Sequence, residues 1–176
     1  MFSFHTHTQF CDGKADIDDF CRRAAELNFS ALAFTSHAPV PFRNNYSVSF
    51  DQLFEYKKAV LDAQKLYHNE LEIYLGLEAD FIPEVSLAFD EWRRLVKPDF
   101  LVGSVHFVVN PDTGERWFID GVADNYVIGL KDVFHNDIQR GVKLYFQQVR
   151  EMMLTQKPEI VGHIDKIKMN NQDRFF

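Results

Sequence analysis

Short apolar runs, rich in β-branched and aromatic residues, alternate along this chain with longer segments of helical period, and no other feature restricts the fold as much. The runs at 2–6 (FSFHT), 31–36 (ALAFTS), 72–78 (EIYLGLE), 100–106 (FLVGSVH) and 159–164 (EIVGHI) read as strands. Between the first two, Ile17, Phe20, Cys21, Ala24 and Leu27 recur at three- and four-residue intervals behind Asp16, a helix-capping residue type. That pattern predicts an amphipathic helix over 17–28. Ser49 and Gln52 have capping-box spacing, and Leu53, Val60, Leu61 and Tyr67 continue one apolar face to about residue 68. Pro83 opens a shorter helix with Leu87, Trp92, Leu95 and Val96 on its buried side, and Pro98 stops it. Residues 107–118 (FVVNPDTGERWF) set two apolar ends around a turn-forming centre, the composition of a hairpin. A long helical stretch follows, with Ile138, Val142, Tyr145, Val149 and Met152 in register, to about Gln156. Strand and helix alternating with connections of this length imply parallel strands and right-handed crossovers. The class is α/β, either an open doubly wound sheet or a TIM-like barrel.

A length of 176 residues allows one domain over 1–176, large enough to bury a core without a disulfide or a structural metal. Any metal must therefore be argued from chemistry. Nineteen basic against 26 acidic residues give a net charge of −7, and no basic cluster exceeds two residues, which argues against a nucleic-acid surface. Cys11 and Cys21, without C-x-x-C spacing, build neither a disulfide framework nor a thiolate zinc site, and a reducing compartment, the cytoplasm, is expected. His5, His7, Asp12 and Asp16 interrupt any signal-peptide-like run. The longest apolar stretch, Phe100 to Val109, contains His106, so no membrane association is expected.

Five of the seven histidines, His5, His7, His37, His106 and His163, stand at the ends of the apolar runs, and Glu78 occupies the same kind of place on the third. One such histidine is ordinarily a hydrogen-bonded core or rim residue. Five, with a glutamate, are a constellation, because a parallel barrel brings all its strand C-termini to one rim. His5 and His7, two apart, point to one face and suit a shared ion. Asp12, alone an ordinary turn aspartate, is a candidate ligand through its nearness to His7, whereas Cys11 reads as a half-buried small hydrophobe. His68 and His135 lie in helical segments and receive no role. Imidazole and carboxylate donors suit zinc, iron or manganese, and seven of them exceed one ion's needs, so two or three divalent ions are implied. Such clusters clamp the oxygens of a phosphoester undergoing hydrolysis.

These residues resemble the polymerase and histidinol phosphatase (PHP) superfamily of metal-dependent phosphoesterases. The resemblance runs through His5-Thr6-His7, Cys11-Asp12-Gly13, Ser36-His37-Ala38-Pro39, Gly76-Leu77-Glu78-Ala79-Asp80, Gly103-Ser104-Val105-His106-Phe107 and Val161-Gly162-His163-Ile164-Asp165. H-x-H alone is shared with other hydrolases, whereas the whole series in this order is specific. Its wording is most similar to stand-alone histidinol-phosphatases of histidine biosynthesis. The resemblance implies a distorted (β/α)7 barrel, of which about five strands are present in this chain, and a trinuclear cluster. His5 and His7 would hold one ion with Glu78, which would bridge to a second ion held by His106 and His163, while Asp12 and His37 would hold a third. A bridging hydroxide, poised by Glu78, His5, His7 and His106, would attack phosphorus, and L-histidinol would leave as the alcohol.

The family carries a late Asp-x-His motif, whereas this sequence runs only eleven residues past Asp165, to Asp173-Arg174-Phe175-Phe176. A fragment of a longer protein, weakly active or inactive by itself, is the expectation, and a naturally shortened chain with an open barrel is the alternative. An open barrel would leave a strand edge and apolar helix faces uncovered and favour a homo-oligomer. For the phosphate of a small-molecule substrate, Lys168 and Arg43 stand on suitable loops, and Ser104, two residues before His106, shares its face. Trp117 and Phe118 either cover a substrate ring or, more simply, pack the hairpin. Two other readings are a PHP phosphoesterase for another small phosphate ester or nucleotide, and a metal-binding module without turnover.

Overall fold

The computed structural model describes residues 1–170. The closing residues Asp173 to Phe176, on which the expectation of a curtailed chain rested, lie outside that range. The described chain groups into two compact units: residues 1–79, 87–102 and 158–160, and residues 80–86, 103–157 and 161 onward.

The first unit holds β1 (Phe2–Ser3), α1 (Ile17–Glu26), β2 (Ala31–Phe34), α2 (Leu53–Leu66), nearly all of β3 (Glu72–Asp80), α3 (Phe89–Leu95), most of β4 (Phe100–Ser104) and the start of β7 (Ile160–Val161). These five strands form one sheet in the order β1-β2-β3-β4-β7. β1 pairs in parallel with β2 at Phe2 to Ala31, and β2 with β3 from Ala31 opposite Glu72 to Phe34 opposite Leu75. All four β2 residues are buried, as expected of a parallel strand covered on both faces. Asp16 caps α1 by accepting from the Asp19 N–H at 2.8 Å, and Ile17, Cys21 and Ala24 form its buried stripe. The Ser49–Gln52 pair closes differently from the expected box. Ser49 Oγ accepts from Gln52 N and donates to Gln52 Oε1, just before α2 starts at Leu53.

Tyr56 of α2, fully buried, sets its hydroxyl between the carbonyls of Phe34 (2.8 Å) and Gly76 (2.9 Å) and accepts weakly from Ser36 N. It ties the end of β2 to the middle of β3, shortly before His37 and Glu78. At the opposite strand ends, carboxylates replace missing ladder acceptors: Asp99 accepts from Leu75 N at 2.7 Å, and Glu159 from Leu101 N at 2.8 Å.

The second unit holds the antiparallel hairpin β5 (Phe107–Val109) and β6 (Arg116–Phe118), α4 (Ala123–Phe134), α5 (Ile138–Thr155) and a 3-10 turn at Lys166–Lys168. Its hairpin register is Phe107 to Phe118, Val108 to Trp117 and Val109 to Arg116. Trp117 is wholly buried, donates Nε1–H to the Tyr126 carbonyl at 2.8 Å, and packs against Tyr126 and Phe134. Gly129 and Gly141 make room for it, since a Cβ at either would lie within 2.8 Å of the indole. Trp117 is therefore a packing residue of the hairpin.

The expected elements are present, and the helices depart from expectation at two places. Pro83 does not open a helix. Residues 82–86 form a turn in which Val85 N and Ser86 N both donate to Ile82 O and Glu84 takes φ 63°, and α3 begins only at Phe89. The long helical stretch is two helices, because His135 and Asn136 adopt left-handed backbone (φ 50° and 64°) and Asp137 then caps α5 by accepting from Arg140 N at 3.0 Å. A short polar side chain tolerates that backbone and competes with helix continuation.

No described helix is long and apolar enough to cross a membrane.

Candidate functional site

The strands end earlier than the apolar runs. β1 stops at Ser3, β2 at Phe34 and β4 at Ser104, so His5, His7, His37 and His106 follow their strands, and only Glu78 stands on one. The ladder gives way because side chains take over its groups. Thr35 N still donates to Thr6 O at 2.9 Å, but Thr6 N donates to the Thr35 hydroxyl instead of a strand carbonyl. His37 and Glu78 remain paired by an isolated parallel bridge.

In the first unit, three imidazole nitrogens converge on one oxygen of Glu78, a carboxylate only 1% exposed. His7 Nε2 lies 3.1 Å from Oε2, His37 Nδ1 3.3 Å and His5 Nε2 3.7 Å, while His5 Nε2 and His7 Nε2 are 3.5 Å apart. Donors bonded to one zinc ion at about 2.0–2.2 Å in tetrahedral array stand about 3.3–3.6 Å from one another. The His5, His7 and Glu78 atoms therefore have the spacing of one face of such a coordination shell. The outer nitrogens are tethered: His5 Nδ1 to the buried Thr35 hydroxyl at 2.8 Å, His7 Nδ1 to Asp12 Oδ1 at 2.9 Å. These bonds favour the tautomer that aims each Nε2 inward, the usual support of metal-bound histidine.

Asp12 reaches His7 because Gly13 lets its loop lie directly against the His7 backbone, where a Cβ would fall 2.5 Å from the His7 carbonyl. With His37 Nε2 3.8 Å from Asp12 Oδ2, the atoms of His7, Asp12 and His37 form a second potential ligand group.

Burial opposes a proton on His7, but hydrogen bonds to Cys11 and Glu78 and their negative charge prevail and raise it to about 10. Burial pushes the Cys11 thiol up, and hydrogen bonds with His7 and Ser36 outweigh it, leaving it lowered. Burial likewise opposes ionised Asp12, and the charges of His37 and His7 win, lowering it.

The second unit builds its cluster differently. His106, 1% exposed, is held through Nδ1 by Asp80 Oδ1 at 2.5 Å, and Asp80 is itself buried. Its Nε2 faces His163 Nε2 at 3.3 Å and Asp120 Oδ2 at 3.6 Å, again the spacing of donors around one ion. Asp120 in turn pairs through Oδ1 with the Lys166 ammonium. Sequence reasoning assigns Asp80, Asp120 and Lys166 no role. Asp80 carries a signal, its place two residues from Glu78 on one strand. Asp120 carries none, because only the hairpin returns it beside His106, where Ile119 N donates to the His106 carbonyl.

Of the residues expected to meet phosphate, Ser104 is buried two positions before His106, whereas Lys168 and Arg43 are exposed. His68 and His135 sit exposed at helix ends, His68 against the Lys65 carbonyl.

The family model for the PHP domain matches residues 3–175, and the chain belongs to that family. It is 25% identical over 183 aligned residues to the histidinol-phosphatase of Bacillus subtilis, covering 93% of this chain and 65% of that protein. A solved structure from Listeria monocytogenes, assigned as a histidinol phosphatase, superposes with a TM-score of 0.78 at 24% identity over 98% of this chain and 70% of that one. The histidinol phosphate phosphatase of Lactococcus lactis, solved with zinc, L-histidinol and phosphate, gives 0.66 at 16% identity over 94% and 58%. The fold is thus the distorted TIM-like fold of PHP proteins, with five parallel strands in the described chain. The chain spans 36% to 65% of the length of the curated relatives it matches.

Proposed function

We propose that this chain carries the metal-ligating machinery of a phosphomonoesterase acting on L-histidinol phosphate, a cytoplasmic step of histidine biosynthesis. The observation that supports this best is the convergence of His5, His7 and His37 on one buried oxygen of Glu78. A structural glutamate needs one partner, whereas three imidazoles at ion-sharing distance suit a cation.

His5, His7 and Glu78 would hold one divalent ion, His106 and His163 another, and Asp12 with His37 a third, the ions being zinc, iron or manganese by donor chemistry. When bound, such ions supply the positive charge that lets water attack phosphorus near neutral pH. The protein's own contribution is orientation. Thr35 and Asp80 fix the rings of His5 and His106, and Lys166, already held by Asp120, sets an ammonium beside the second cluster. Ser104, Lys168 and Arg43 are further candidates for the phosphate oxygens. The ligands of the Lactococcus lactis relative motivate the choice of substrate.

The test is phosphate release from histidinol phosphate, measured together with bound metal, on this chain and on the longest reading frame that contains it. Metal-dependent release supports the proposal. Bound metal with no release from histidinol phosphate in either form moves the assignment to another small phosphate ester or to a binding role.

A further inference from the structure

Gln148 projects from α5 and is 5% exposed, and its side chain bonds to backbone atoms, not to a ligand side chain. Its amide nitrogen donates to the carbonyls of Phe81 at 2.8 Å and Phe107 at 2.7 Å, and its oxygen accepts from Val109 N at 3.2 Å. Phe81 directly follows Asp80, and Phe107 directly follows His106. One planar group thus grips the main chain immediately after both partners of the 2.5 Å Asp80–His106 contact. Phe81 N also donates to Ser104 O at 2.9 Å, so the two segments are closed from both sides. Tyr145, three residues earlier on the same helix and facing the same way, donates its hydroxyl to the His163 carbonyl at 3.4 Å.

A core position needs no amide for packing, and leucine or methionine fills such a volume without polar cost. What the amide adds, beyond the β3–β4 pairing and the Phe81 N–Ser104 O bond, is a tie between the two segments past the end of that pairing, at Phe81 and Phe107. A carboxylate sets a histidine tautomer only if it stays in hydrogen-bond reach, and a small displacement of either segment lengthens a contact of 2.5 Å.

We infer that Gln148 is a positioning residue for the His106 ligand: by clamping Phe81 and Phe107 it holds Asp80 against Nδ1, keeps the proton there, and leaves Nε2 as the donor aimed at the ion. This deepens the metal-dependent reading above and rests on it for the ion, though not for the tautomer.

Gln148→Met removes all three bonds at nearly constant volume, and Gln148→Glu, which keeps an acceptor for Val109 N, serves if the first variant does not fold. Two quantities are read on the whole chain: the zinc dissociation constant by chelator competition, and the His106 ring tautomer by nitrogen-detected NMR of the metal-free protein. Loss of a partner behind a metal-bound histidine weakens binding about 10- to 100-fold, and that loss is expected for one zinc equivalent together with a mixed His106 tautomer. Combining the variant with Asp80→Asn should weaken zinc binding no further than Asp80→Asn alone, because both act through one contact. Asn110→Ala is the structural control. Asn110 is also buried in this unit, donating to the Val133 carbonyl, and its loss should lower the melting temperature while leaving both readouts unchanged. Zinc affinity and tautomer in the Gln148 variants indistinguishable from wild type would overturn the inference. Absence of zinc binding in the wild type would instead sink the metal reading, and the tautomer would still decide the role of Gln148.

Discussion

The two histidine clusters reach donor spacing by opposite means. In the first unit, three rings gather on a central buried carboxylate, and the groups behind the rings are a neutral hydroxyl on His5 and, on His7, an aspartate whose side chain is 49% exposed. In the second, the central pair is imidazole to imidazole, and the group behind His106 is a carboxylate only 2% exposed. The first cluster therefore depends on its centre and the second on its support. Electrostatics makes the distinction physical, since a hydrogen bond to a buried charge is stronger than one to a neutral hydroxyl and is little screened by solvent.

The sharpest way to break the comparison is Glu78→Gln, which keeps the shape and removes the charge on which three rings converge. Metal analysis after dialysis should show loss of the ion shared with His5 and His7. Histidinol phosphate hydrolysis should fall by more than about 100-fold, because even partners behind the ligands are worth about 10- to 100-fold. Unchanged metal content would show that Glu78 is not at the centre of the cluster.

The supports are compared by Asp80→Asn and Thr35→Val, both close in shape to the residues they replace. Asparagine can offer an N–H to His106 Nδ1 and so move the ring proton to the nitrogen that must bind metal. Valine only removes a neutral partner of His5. Expected losses of zinc affinity are about 10- to 100-fold for the first and about tenfold or less for the second, and equal losses would erase the distinction between the clusters.

The same contrast explains which parts of the site are legible in the amino-acid sequence alone. His5, His7, His37, Glu78, His106 and His163 each close or follow an apolar run, and a parallel sheet turns that repeated local pattern into spatial convergence. Helix α1 is legible from Asp16 and the stripe of Ile17, Cys21 and Ala24 for the same reason, as one segment carries its cap and its face together. The supports that arrive from elsewhere are illegible: Asp120 through a hairpin register, Gln148 from a helix more than sixty residues after Asp80. Ring orientation is equally hidden, since Thr35 meets His5 only because β1 lies beside β2. The break between α4 and α5 carries no Gly or Pro to mark it in the sequence, and left-handed backbone at His135 and Asn136 ends the hydrogen-bond ladder there.

Protonation marks the first cluster in another measurable way. His7, raised from 6.5 to about 10 by Cys11 and Glu78 against the opposing effect of burial, carries a proton at neutral pH in the metal-free protein, and a cation must displace it. Affinity at this cluster should therefore rise about tenfold per pH unit between 7 and 9, with about one proton released per ion, measurable by calorimetry in buffers of differing ionisation enthalpy. The sign for metal-free stability is the reverse. A histidine raised on folding contributes fully below its unfolded value near 6.5 and loses that contribution as pH rises through about 10, so the His7 share of metal-free stability falls between pH 6.5 and pH 9, while Cys11, lowered on folding, acts in the opposite sense. No proton release from the first cluster would show that His7 is already neutral there.

The smallest effect concerns two lysines on one turn. Lys166 is largely buried and paired with Asp120, whose other oxygen faces His106, whereas Lys168 is exposed. An ammonium held in place loses little further entropy on meeting a phosphate, while a mobile one must be ordered first and is screened by solvent. Lys166→Met should therefore raise KM for a phosphate ester by about tenfold with little change in kcat, the signature of lost uniform binding, and Lys168→Met should change KM by about twofold or less. A larger effect at Lys168 would mean that the turn rearranges when phosphate binds. A fall in kcat at Lys166 would mean instead that its ion pair with Asp120 supports the His106 cluster, which would make that lysine one more distant support of the second centre.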